Sequence, residues 1–214
     1  MATVLLTGFE PFGGESINPS WQAAQALDAV WLDDEVQIRA VQLPCTFADS
    51  LQTLEQNISR FKPALVLCLG QAGGRTDLSF EKVAINHIDA RIADNAGAQP
   101  IDQPVIAQGP AAYFSTLPLK AMLSHLHQAG FAASISYSAG TFVCNQVFYG
   151  LMHLLQNQPQ VRGGFLHIPY SPAQVLGKQQ ASMSPELVVQ ALKVCLPVAL
   201  QTEQDWLIAG GTLD

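Results

Sequence analysis

Charge is the first thing this sequence has little of. Asp, Glu, Lys and Arg make up 13% of its 214 residues, and 10 basic residues face 17 acidic ones, for a net charge of −7. Nucleic acids and anionic membrane surfaces are held through clustered lysine and arginine that neutralise phosphate. No such stripe occurs, so neither is an expected partner. Long hydrophobic runs are also missing, since none reaches the roughly 18 residues of a membrane span. The opening "MATVLLTGFEPFGG" has no basic segment and runs directly into a strand and a turn, so no signal peptide is expected. The four cysteines, Cys45, Cys68, Cys144 and Cys195, are widely spaced and include no CxxC pair. That spacing argues against a disulfide framework or a structural zinc, and for free thiols in a reducing cytoplasm. There is no internal repeat, low-complexity tract or linker. A chain this long builds a core without disulfides or metal, so residues 1–214 are expected to form one domain.

What the sequence does have is apolar residues, 49% of the total, in recognisable periods. "TVLLT" (3–7) reads as a strand, followed by the turn-rich "GFEPFGGESINP". Asn18 before Pro19 is an N-cap with proline at the first helical position. Trp21, Ala24 and Leu27 carry that helix toward Val30. "EVQIRAVQL" (35–43) alternates as a strand, and 46–60 reads as a helix. "ALVLCLG" (64–70) is a continuous apolar run, the mark of an interior strand covered on both faces. "FEKVAIN" (80–86) is a strand or a structured loop. Then come a strand (132–138), a helix (142–156), a strand (163–170) and a helix (184–200) capped by Ser184. The alternation predicts a three-layer α/β/α sandwich around a mostly parallel twisted sheet. Residues 93–118 are one long turn-rich excursion, and such loops carry function or pack against a neighbouring subunit.

The common catalytic motifs fail. "GQAGGRTD" (70–77) follows a strand but is neither GxGxxG nor GxxxxGK[ST]. "SYSAG" lacks the first glycine of a GxSxG elbow. His125 and His127 sit two apart on a helix and point to different faces, so no metal site is expected. Cysteine remains. Cys45, Cys68 and Cys195 lie in apolar surroundings and read as packing. Cys144 differs, because "AGTFVC" places it in the first turn of a helix, where free N–H groups and the helix dipole favour a thiolate. A cysteine nucleophile needs an imidazole and a group to orient it. His167, near the C-terminal end of its strand, and His87 are the candidates. His153, nine residues after Cys144 on one helix, is about 13 Å away along the axis. Spacing leaves Glu81, Asp77, Asp89 and Asp94 open as the third member.

Four segments in order decide among these. "TGFEPFGG…NPS" (7–20), "GQAGGRTDLSFEKVAIN" (70–86), "SAGTFVCN" (138–145) and "HIPY" (167–170) resemble the cysteine-dependent pyroglutamyl peptidases, type I, also called pyrrolidone-carboxylate peptidases. The resemblance runs essentially end to end. It implies Cys144 as nucleophile, His167 as general base and acid, and Glu81 as the group orienting the imidazole. Glu81 would otherwise read as an exposed strand acid. The substrate implied is a peptide with an N-terminal pyroglutamyl residue, a neutral five-membered lactam, and neither metal nor organic cofactor is implied. A slot for that ring needs apolar walls and a few amide-matching polar groups. Phe9, Phe12 and Phe142, with Val143 beside the nucleophile, are expected as walls, and Asn18 and Gln71 as amide partners. The Cys144 backbone N–H and Arg91 are the expected oxyanion donors. The resemblance also implies a homo-oligomer such as a tetramer. A cysteine amidase for another small acyl group, or a non-catalytic small-amide binding module, would use the same slot.

Overall fold

The apolar run at 64–70 becomes the strand around which the molecule is layered. A computed structural model describes residues 2–211. β3 (Leu65–Gln71) is buried at every position. It lies near the middle of a six-stranded sheet with β1 (Ala2–Phe9), β2 (Val36–Leu43), β4 (Leu78–Glu81), β7 (Ala133–Ser136) and β8 (Arg162–Ile168), in the order β2-β1-β3-β8-β4-β7. β2, β1, β3 and β8 run parallel, whereas β4 runs antiparallel to β8 and takes β7 with it. The short strands β5 (Val83–Ile85) and β6 (Ala112–Phe114) form a separate antiparallel pair.

Period-two alternation sends β3 side chains to opposite faces. Leu65, Leu67 and Leu69 join one apolar cluster with α1 (Pro19–Gln25), α3 (Leu119–Gln128) and α5 (Pro185–Gln201). Val66 and Cys68 join another with α2 (Ser50–Phe61) and α4 (Val143–Leu155). The expected three-layer sandwich with a mostly parallel sheet is what forms. No helix among the described residues is long and apolar enough to cross a membrane.

Local chemistry sets the ends. Asn18 caps α1 by accepting from the Ser20 N–H at 3.0 Å, and Ser184 caps α5 through the Leu187 N–H at 3.2 Å. The first helix stops at Gln25, short of the expected Val30, because Ala29 enters the left-handed region (φ 61°) and its N–H turns to Ile38 O at 2.9 Å. Thr46 and Asp49 cap each other, so α2 begins at Ser50 rather than at 46. The segment 80–86 splits at Lys82 between the main sheet and the small one. The 93–118 excursion is firmly tied. Asp94 accepts from the Phe47, Ala96 and Ala98 N–H groups. The Asn86 carboxamide binds Ile106 and Gly109, and the Tyr149 hydroxyl donates to Pro110 O.

Candidate active site

The antiparallel register of β4 against β8 pairs Glu81 with Phe165 and Ser79 with His167. Glu81 and His167 therefore share a face as diagonal neighbours, within reach of each other. Glu81 Oε1 accepts from His167 Nδ1 at 2.7 Å. Both residues are buried, Glu81 completely, so the sequence expectation of an exposed acid is corrected: an antiparallel strand inside the sheet has no solvent face there. With Nδ1 donating to the carboxylate, the imidazole keeps an unprotonated Nε2 as base. The Phe165 ring, 4.8 Å from the imidazole centroid, limits its rotation.

The thiol arrives from the other side. Phe142, extended (φ −101°, ψ −165°), is the N-cap of α4, so Cys144 is the second residue of the helix, where N–H groups have no intrahelical partner. Its Sγ settles over Gly70 at the end of β3. A Cβ at Gly70 would lie 3.0 Å from Sγ and 2.7 Å from the Phe165 ring, so only glycine leaves room. The expected fall of the thiol pKa is not what this environment produces. Burial pushes Cys144 well above the ordinary thiol value, and the neighbouring Cys45, Glu81 and Cys68 push the same way against its own backbone N–H. A thiol so placed needs a base to become a nucleophile.

Cys144 and His167 open into one cleft of about 620 Å³, with Phe12, Phe142, Gln71 and Arg91 on its walls. Phe142 packs on Phe12 at 6.3 Å and edge-on against Phe47 at 5.2 Å. Gln71 accepts from Gln174 Nε2 through its own Oε1 at 2.9 Å, which leaves its Nε2 to the cleft. Arg91 is exposed, with no ion pair among the described residues.

Three expected pocket residues are not walls. Phe9 is 2% exposed and packs on Phe165 at 6.4 Å, because it shares strand parity with core Leu5. The Val143 side chain is buried in the same core. The Asn18 carboxamide is consumed by its cap, accepting from Ser20 and donating to Glu10 O at 3.0 Å. Of the open acids, Asp77 bonds Ser79 and Ser134, and Asp94 holds a turn. His87, half-buried, faces Asp102 rather than the cleft.

The cleft is also lined by residues the sequence did not single out, Ile92 and Arg75 among them. Arg75 lies four residues past Gln71, in the loop after an interior strand, where α/β sheets gather ligands. That position was the available signal.

A family model described as pyroglutamyl peptidase matches residues 2–202. The chain is 55% identical to a pyrrolidone-carboxylate peptidase of Cupriavidus necator and 53% identical to one of Escherichia fergusonii. The first match covers 100% of both chains and the second 99%. The crystal structure of pyroglutamyl peptidase I from Bacillus amyloliquefaciens superposes with a TM-score of 0.94 at 44% identity, over 97% of this chain and 99% of that one.

The chain belongs to the pyroglutamyl peptidase family.

The resemblance carried by four separate segments is thereby borne out along the whole chain. Those segments are the ones that surround the cleft: the first supplies Phe12, the second Gln71 and Glu81, the third Phe142 and Cys144, the fourth His167.

Proposed function

We propose that this protein is a cysteine peptidase that removes an N-terminal pyroglutamyl residue from peptides, with Cys144, His167 and Glu81 as its catalytic triad. The observation that carries the reading is the 2.7 Å bond to buried Glu81 from His167, which opens into one cleft with Cys144. The lactam ring lies against the Phe12 and Phe142 pair, with Gln71 as its amide partner. Among the described residues that line the cleft, Asp89 is the one carboxylate.

His167 Nε2 takes the thiol proton as Sγ attacks the pyroglutamyl carbonyl, and Glu81 stabilises the imidazolium that forms. The Cys144 backbone N–H meets the oxyanion at the positive end of α4, and Arg91 is the second donor. The imidazolium then protonates the leaving amine. Water, deprotonated by the same imidazole, hydrolyses the thioester. No step requires a metal or an organic cofactor. Residues 1–214 act as one catalytic domain. We place the protein, as a homo-oligomer, in a reducing cytoplasm, where its four cysteines stay free thiols.

A fluorogenic pyroglutamyl amide tests the reading. Turnover that is abolished by alkylation of Cys144 is expected. Turnover with preference for a different acyl group would mean an amidase, and binding without turnover would mean a receptor for small amides.

A further inference from the structure

Glu81 is 0% exposed, and one of its oxygens, Oε2, is buried without any hydrogen-bond partner. A buried carboxylate is held by the hydrogen-bond donors and cations placed against it. His167 is neutral at rest if it is to act as a base. The remaining cation is Arg75, whose Nη2 lies 3.2 Å from Glu81 Oε1. The same nitrogen also donates to Ser136 Oγ and to Ser138 O, both at 3.1 Å. Ser136 ends β7, and Ser138 opens the turn that leads to Phe142 and the start of α4. One guanidinium therefore touches the acid of the triad and the loop that delivers the nucleophile.

We infer that Arg75 is a positioning residue for the triad, acting through Glu81. The inference rests on the peptidase reading above. An ionised Glu81 can only accept a hydrogen bond, so His167 must place its proton on Nδ1 and face the thiol with a bare Nε2. A protonated Glu81 would donate instead. Nδ1 would become the acceptor, the ring proton would move to Nε2, and no lone pair would remain for Cys144. Arg75 holds the first arrangement in place because guanidinium cannot lose its charge. It stands at the wall of the cleft, its side chain one-third exposed, without belonging to the aromatic slot.

The experiment compares Arg75→Met, Arg75→Lys, Glu81→Gln and the Arg75→Met/Glu81→Gln double variant on one pyroglutamyl amide. Arg75→Met should lower kcat by about 10² with KM within about twofold, the signature of an interaction that is not with the ground-state substrate. Arg75→Lys restores the charge without the fork and should recover about tenfold of that loss. In the Glu81→Gln background, where no carboxylate remains to be held, adding Arg75→Met should cost less than about threefold. A second readout needs no substrate: 15N NMR of the His167 ring should report Nδ1–H in the wild type and a shift toward Nε2–H in Arg75→Met. A raised KM with unchanged kcat would make Arg75 a substrate contact. An equal loss in both backgrounds would make it scaffold, and an unchanged tautomer would remove its route of action. Any of the three overturns the inference. Absence of turnover in the wild type would instead sink the peptidase reading and leave the NMR comparison to decide this one.

Discussion

The proton-handling half of the site and its thiol-and-slot half are built by different means. Glu81 and His167 sit on neighbouring strands, buried, and are placed by β-sheet register. Cys144, Phe12, Phe142 and Arg91 come from a helix start and from loops, and line an open cleft. A register shift by one residue would turn Glu81 to the other face, so the sheet fixes the imidazole with little freedom. The cleft walls can vary without disturbing the sheet. The acid–imidazole pair therefore depends on sheet register, whereas the thiol and the aromatic walls depend on a helix start and loops.

Removing either reacting group tests the shared cleft most severely. Cys144→Ala should lower kcat/KM by about 10⁵, and His167→Ala by nearly as much, because members of one catalytic unit fail together. Cys45→Ala, Cys195→Ala and His87→Ala, if folded, should retain most activity, since none of these residues lines the cleft. A folded Cys144→Ala protein near wild-type rate, or a dead His87→Ala beside an active His167→Ala, would break the assignment.

Substrate choice probes the loop half alone. A prolyl amide lacks the lactam carbonyl and brings a charged amine to an aromatic slot, each a penalty of about 1–3 kcal/mol or more. Pyroglutamyl amides should therefore exceed prolyl amides by at least ~10³ in kcat/KM with one common leaving group. Comparable rates would show that Phe12, Phe142 and Gln71 do not read the lactam. Glu81→Gln should cost less, about 10², because the imidazole keeps its place between strands but loses the charge that stabilises its protonated form.

The state of the thiol links the halves. Burial raises the Cys144 pKa above its ordinary 9.0, so the protonated form dominates at neutral pH. Alkylation requires the thiolate, and its population climbs about tenfold per pH unit below that pKa. With the substrate slot empty, inactivation by iodoacetamide should keep rising from pH 7 through pH 9. A plateau reached below pH 7 would mean a thiolate already formed at rest, and His167 would then serve only the leaving amine and the hydrolytic water.

Much of this architecture is legible in periodicity. β3 announces itself as a continuous apolar run, and both α1 and α5 are marked by a capping side chain followed by proline. The 80–86 segment is not legible, because its break at Lys82 depends on which distant partners each half finds, β8 and β7 for one and β6 for the other. The Glu81–His167 pair spans 86 positions, and no local spacing rule reaches that far, which is why four acids stayed open until family resemblance chose. The burial of Phe9 and the capping role of Asn18 are legible too. Leu5 and Phe9 are four apart on one strand and share its core face. Asn18 was already an N-cap, and a carboxamide spent on a cap has little left to offer a lactam.

Asn18 offers the smallest and most discriminating test of where the slot ends. The Asn18 Oδ1 satisfies the Ser20 N–H at the start of α1, and its Nδ2 ties Glu10 O, just past β1, back to the helix. Replacing an N-cap Asn by Ala costs about 1 kcal/mol of stability, at most about 2. For a chain of this size that lowers Tm by about 2–4 °C per kcal/mol. The cleft wall formed by Phe12 and Phe142 stands on other contacts. Asn18→Ala should therefore melt a few degrees early, while KM for a pyroglutamyl amide at 25 °C stays within about twofold of wild type. A KM raised tenfold or more at unchanged Tm would put the carboxamide back in the pocket, and the boundary drawn between scaffold and slot would move with it.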